Sequence, residues 1–332
     1  MPKSKSSPAR FIYNHIAWIL PLLLFFPFSA KHLVSASLSS PSVSLVLDSI
    51  EGPFVGPEIR AHILSSDLRD LPVSLEPEDA LPTALLPLKF APGTEPKGAS
   101  STIASWIDPV AQTTPGIGDM PGLLTSFEGM RLNLGGNGWP PDPNGDVGPD
   151  HYIQTVNTSM AIYNKVTGVE MVRLSMNDFF TGTGTLCDTL NRGDPVVVYD
   201  RFTDRWLITD FAYSNTGGPY FECLALSQSG DPVSGGWYMW GVSISSTSLN
   251  DYPKIGVWGD GYYASFNMFR KTTTGWSWNG VELWTFEKAS MLSGVLKSVS
   301  FSLSSSSGYF SLLPAHALSE PPVGASGYYA SV

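Results

Sequence analysis

An all-β chain built from β-propeller-like repeats is what this sequence predicts, and three observations predict it. From Phe127 onward, short runs of aromatic and β-branched residues alternate and are broken by Gly, Asp, Asn and Pro, the chemistry of strands joined by tight turns. Helical periodicity nearly vanishes, with residues 288–296, containing Ala289, Met291 and Leu292, the one helix candidate. An opening motif also recurs along the chain. The composition agrees, because 32 Gly and 27 Pro with only 14% charged residues fit frequent turns between apolar strands.

Residues 1–36 read as a signal peptide. Lys3, Lys5 and Arg10 precede an apolar run at 16–28, and the short side chains of Val34, Ser35 and Ala36 place cleavage after Ala36. A membrane anchor is the competing reading, but a spanning helix needs roughly 18–20 apolar residues, and Pro21 and Pro27 interrupt this run. The expected product is secreted or attached to the cell surface, with no membrane span in the mature chain. Removing a segment with four basic residues and no acid takes the formal charge from −10 to −14. Such a surface repels nucleic acid, so no nucleic-acid partner is expected. Residues 37–125 are rich in Ser and Pro and poor in aromatics, and they read as a largely extended leader. Within it, residues 44–47 and 59–63 are short strand candidates.

Residues 126–332 form the repeat domain. One unit opens Gly145-Asp146-Val147-Gly148-Pro149-Asp150-His151-Tyr152, and the next opens Asp194-Pro195-Val196-Val197-Val198-Tyr199-Asp200 and continues into Asp204-Arg205-Trp206. A third runs from Asp251-Tyr252-Pro253-Lys254 to Tyr262-Tyr263, and Tyr328-Tyr329 lie in a fourth. The anchors Tyr152, Trp206, Tyr262 and Tyr328 are 54, 56 and 66 residues apart, at or above the roughly 40–50 residues of a four-stranded blade. Propellers close with roughly 4–8 blades, so about three full copies and a fourth ending at Val332 predict an incomplete propeller, truncated at its C-terminus. A β-sandwich is the alternative, since turn signals also fall at its closer spacing.

The strings Pro140-Pro141-Asp142-Pro143-Asn144-Gly145-Asp146-Val147-Gly148-Pro149-Asp150-His151-Tyr152, Asp194 to Trp206, and Asp251-Tyr252-Pro253-Lys254 resemble a group of secreted bacterial proteins of uncharacterised function. The resemblance covers about residues 125–332. It implies export and repeats, and it carries no catalytic residues with it.

Candidate sites are few. Cys187 and Cys223 are the two cysteines of an exported chain and are expected to form a disulfide. Asp142, Asn144 and Asp146 place oxygens at the i, i+2, i+4 spacing of a calcium loop, but Val147 and Ile153 stand where an EF-hand carries Gly and Glu. The plainer reading is an Asx-type turn. No cofactor is expected beyond a structural calcium there. Asp194, Glu222 and Asp251 are the acids that a propeller glycosidase would need, against the plainer reading that a repeated Asp caps each opening turn. Trp276 and Trp278, in a polar turn between two strands, are the rings best placed to stack on a sugar. His62, His151 and His316 are far apart, and neither His-Glu-x-x-His nor Gly-x-Ser-x-Gly occurs, which leaves metal and serine hydrolysis without support. Two function classes remain. One is a non-catalytic module binding an extracellular glycan, protein or wall material, and the other is an extracellular glycoside hydrolase with acidic residues near a propeller channel.

Overall fold

The structure, a computed structural model, describes residues 50–72, 122–131 and 141–331. Its first strands are β1 (Ile50–Val55), β2 (Ile59–Arg60) and β3 (His62–Leu64). Three antiparallel meanders follow. The first joins β4 (Pro143–Val147), β5 (His151–Val156), β6 (Ser159–Asn164) and β7 (Glu170–Ser175) in chain order. Two single-turn helices, α1 (Met176–Phe179) and α2 (Leu186–Thr189), lead into the second sheet. There β8 (Val196–Asp200), β9 (Arg205–Ser214), β10 (Gly217–Ser227) and β11 (Trp237–Ser245) pair in sequence, and β3 adds itself to the outer edge of β11. The third sheet is β12 (Ser248–Val257), β13 (Gly261–Thr272) and β14 (Gly275–Glu287). After α3 (Lys288–Met291) and β15 (Val295–Leu296), β16 (Ser298–Leu303) completes that sheet, with β1 on its far edge. The remaining pairs are β15 with β2, and β17 (Leu313–Pro314) with β18 (Tyr329–Ala330). The fold is all-β, and no sheet closes on itself.

Alternation of side chains along a strand explains how the middle sheet contributes to a core on each of its faces. On β9, Trp206, Ile208 and Ala212 join the first sheet's Ile153, Met160, Ile162 and Leu174 in one core. Leu207, from the opposite face of β9, joins Val257, Tyr262, Ala264 and Phe266 of the third sheet in a second core. The middle sheet is therefore covered on both sides. Of the four anchors, Tyr152, Trp206 and Tyr262 each lie at or near the start of the second strand of a sheet, whereas Tyr328 is exposed and stands just before the two-residue β18.

Strand β8 sits between β4 and β12, and its free edge is closed by side chains. The Asn144 Oδ1 accepts the Val197 N–H at 2.9 Å, and the Asp146 Oδ2 accepts the Tyr199 N–H at 2.7 Å. Spacing of two residues on β4 thus meets spacing of two on β8, and donors that a bare edge would leave open are satisfied.

Two expectations change in detail. The stretch read as an extended leader contributes β1, which pairs with the outer edge of β16, while β2 and β3 fall on the strand candidate at 59–63, β3 pairing with the outer edge of β11. Every residue of β1 is exposed, so backbone pairing holds it and no apolar alternation announces it. The helix candidate at 288–296 shrinks to the single turn of α3, after which the chain returns to β15. The strand candidate at 44–47 and the signal segment lie outside the described residues. Among the described residues, no helix is long and apolar enough to cross a membrane.

Candidate functional site

Antiparallel pairing brings the start of β8, the β9–β10 turn, the start of β12 and the β13–β14 turn to one end of the second and third sheets. All the acids predicted for catalysis, and both predicted tryptophans, belong to this end.

Glu222 on β10 is fully buried, and its Oε2 accepts the Asn250 Nδ2–H of β12 at 2.9 Å. Asp210 on β9, 2% exposed, stands opposite Cys223 in register and so projects from the other face of the sheet. Neither Asp210 Oδ1 nor Glu222 Oε1 has a hydrogen-bond partner, and among the described residues neither acid pairs with Lys or Arg. Burial pushes the Asp210 carboxyl well above the usual carboxylate range, and the nearby charge of Glu222 adds to this. Burial does the same to Glu222, against the opposing effects of the nearby Thr209 hydroxyl and the Asn250 hydrogen bond and with a further push from Asp194. The neutral, protonated form is the state such surroundings favour.

Asp194 precedes β8 at a positive φ of 65° and is only half-buried. Its charge acts on both Glu222 and Asp210, so the predicted acids Asp194 and Glu222 do come together. Asp251 follows Asn250 on β12, is 1% exposed and lies opposite Asn267. Strand alternation sends it to the face away from Glu222. Neither Asp194 nor Asp251 is free of partners. Asp210 was missed in the sequence because it lies mid-strand, outside the recurring opening turn.

This arrangement has a pH signature. Raised carboxyl pKa values mean that the folded chain holds protons which the unfolded chain releases near pH 4. Their contribution is therefore complete below about pH 4 and is lost as pH rises through the folded values. His316, whose pKa burial lowers, acts in the opposite sense below its usual value near 6.5. The expected result is that Glu222→Gln flattens the fall in melting temperature as pH rises above the usual carboxylate range, relative to the parent. Parallel slopes for parent and variant would show that Glu222 is ionised in the folded chain.

The calcium-spaced residues make bonds within the chain. Asn144 and Asp146 hold the edge of β8 as described, while Asp142 is exposed and its N–H donates to Asn157 Oδ1 at 3.3 Å. Among the described residues, no group of three or more His, Cys, Asp or Glu is placed to hold a metal ion.

Trp276 and Trp278 lie on β14 just after its turn, both half-buried. Trp276 meets Tyr213 and Tyr220 of the neighbouring hairpin edge-on, with centroids 6.3 and 6.2 Å apart. Trp278 packs against Phe269 at 5.4 Å and Phe310 at 5.2 Å. Two hairpins from different sheets are thus locked by one aromatic cluster whose outer members stay in reach of solvent. The tryptophans of the middle sheet, Trp206, Trp237 and Trp240, are buried in the cores.

Compared with known proteins, the chain matches no family model, no curated protein and no solved structure.

Proposed function

We propose that this chain is an exported, non-catalytic binding module of propeller-like sheets that recognises an extracellular glycan through the aromatic rim formed by the β9–β10 and β13–β14 hairpins. The observation that carries this reading is the pair of half-buried indoles, Trp276 and Trp278, fixed against rings of two separate hairpins. Aromatic faces held rigid in this way lose little entropy on stacking against a sugar. The propeller arrangement is supported by three consecutive four-stranded meanders, each covering the face of the next, with β8 between β4 and β12. Export is supported by the disulfide, since such bonds persist in oxidising compartments.

The expected result for Trp276→Ala is a loss of about 2 kcal/mol in polysaccharide affinity, roughly thirtyfold, measured well below a melting temperature that the lost contacts with Tyr213 and Tyr220 also lower. Titration calorimetry against a panel of soluble wall and matrix polysaccharides checks it. Unchanged affinity in both Trp276→Ala and Trp278→Ala would move the site away from this rim.

A glycoside hydrolase is the second reading, favoured by one observation, the two buried carboxylates without Lys or Arg partners. Glycosidase carboxyls flank the scissile bond at roughly 5–10 Å separation and must reach it. Glu222 and Asp210 are 0% and 2% exposed and leave from opposite faces of one sheet. Release of reducing ends from the same polysaccharide panel, abolished by Glu222→Gln, would establish the enzyme instead.

A further inference from the structure

The aromatic rim is bordered by cations although the chain as a whole is acidic, with a formal charge of −10. The Arg192 guanidinium lies over the Tyr213 ring at 5.4 Å, and its Nε donates to the Tyr213 carbonyl at 3.0 Å. Tyr213 is in turn the ring that Trp276 meets edge-on. Lys271 is the direct cross-strand neighbour of Trp276, is exposed, and its Nζ donates to the Asn215 carbonyl in the facing turn. Arg192, Tyr213, Trp276 and Lys271 therefore form one continuous strip across both hairpins, with a cation at either end of two rings. Farther along the same end, Lys254 lies over the ring of Tyr252, which is 49% exposed. Of the acids of this end, Glu222 at 0%, Asp251 at 1% and Asp210 at 2% exposure are withdrawn from the surface, and Asp194 alone is half-buried.

We infer that the ligand of this rim is an acidic polysaccharide, one bearing uronate carboxylates or sulfate groups, whose sugar face stacks on Trp276 while Arg192 and Lys271 bind its anionic substituents. The inference rests on the glycan-binding reading above and narrows it to a chemical class. Three features support it. A guanidinium held over a ring by a backbone bond is oriented before the ligand arrives, so little side-chain entropy is lost on binding. An ammonium fixed by a single carbonyl keeps further N–H donors for a carboxylate or sulfate. Local positive charge on an acidic protein steers an anionic chain to this rim and away from the rest of the surface.

The test titrates the full exported chain with alginate, polygalacturonate and chondroitin sulfate, and with the neutral dextran, mannan and β-glucan, at one ionic strength. The expected result is binding to acidic members only, weakened about tenfold or more in Lys271→Gln and in Arg192→Ala, and weakened again when salt rises from about 50 to 500 mM. Lys297→Ala serves as the control, since Lys297 is exposed beyond the opposite end of β16 and should leave affinity unchanged. Should Arg192→Ala fold poorly, Lys271→Gln still decides, because its side chain is exposed. Neutral glycans bound as tightly as acidic ones, with Trp276→Ala still harmful, would overturn this inference and leave the glycan-binding reading standing. No binding to any glycan would overturn both.

Discussion

Replacing Lys288 with alanine is expected to destabilise the fold by about 3–5 kcal/mol, the cost of leaving a buried charge without its partner. The Lys288 Nζ lies 2.9 Å from the Asp200 Oδ2, and the two side chains are only 5% and 0% exposed. Asp200 ends β8, an edge strand of the middle sheet, whereas Lys288 begins α3, after the third strand of the next sheet. The pair therefore fastens two sheets. The carboxylate is also bonded by Tyr262 Oη at 2.9 Å, Thr203 Oγ1 at 2.9 Å and the Phe202 N–H at 3.0 Å. These bonds hold Asp200 in place whether or not the lysine is present, so the variant cannot move the carboxylate into water. Denaturant unfolding of Lys288→Ala checks the magnitude. Adding Asp200→Asn should recover part of the loss, because it removes the orphaned charge. A loss below about 1 kcal/mol in the single variant would mean that the pair is effectively solvated.

The second large effect is expected from the disulfide. Cys187 and Cys223 are joined across 36 residues of sequence, and chain entropy gives about 3–4 kcal/mol for a loop of that size. Cys187 lies on α2 and Cys223 on β10, so the bond ties the connection between the first two sheets to the middle sheet. Both cysteines are 1% exposed and belong to the core between those sheets. The Cys187→Ala, Cys223→Ala double variant should lose that amount in denaturant unfolding. Thiol labelling of the denatured, unreduced parent should detect no free cysteine. Two labelled thiols, or a double variant as stable as the parent, would contradict the bond's role.

How much of this could be read from the sequence follows from what each feature leaves in it. Alternation and turn residues made the strands visible, and the anchors Tyr152, Trp206 and Tyr262 marked the second strand of each meander because each occupies the same place in its sheet. The cysteine pair was legible for a compartmental reason. By contrast, β1 buries no side chain, so nothing in its pattern separated it from the Ser- and Pro-rich segment around it. The Lys288–Asp200 pair spans 88 residues and two sheets, and no local spacing encodes it. The opening-turn acids were found by their recurrence, but recurrence reports position in a repeat and gives no access to solvent. The two acids that burial perturbs most strongly, Asp210 and Glu222, lie mid-strand, outside that motif. The i, i+2 spacing of Asn144 and Asp146 was real, yet its partner is a strand edge with the same period. For the tryptophans, the polar turn indicated exposure, and the aromatic neighbours that half-bury them come from another sheet.

The central claim is that this end of the molecule binds through its rings while its buried carboxylates support the fold. It is tested most directly by titrating one bound polysaccharide into the parent, Trp276→Ala and Glu222→Gln side by side. Trp276→Ala is expected to lose affinity roughly thirtyfold while Glu222→Gln binds like the parent and neither releases sugar. Binding preserved in Trp276→Ala together with binding or turnover lost in Glu222→Gln would contradict it, and would place the function at the carboxylates.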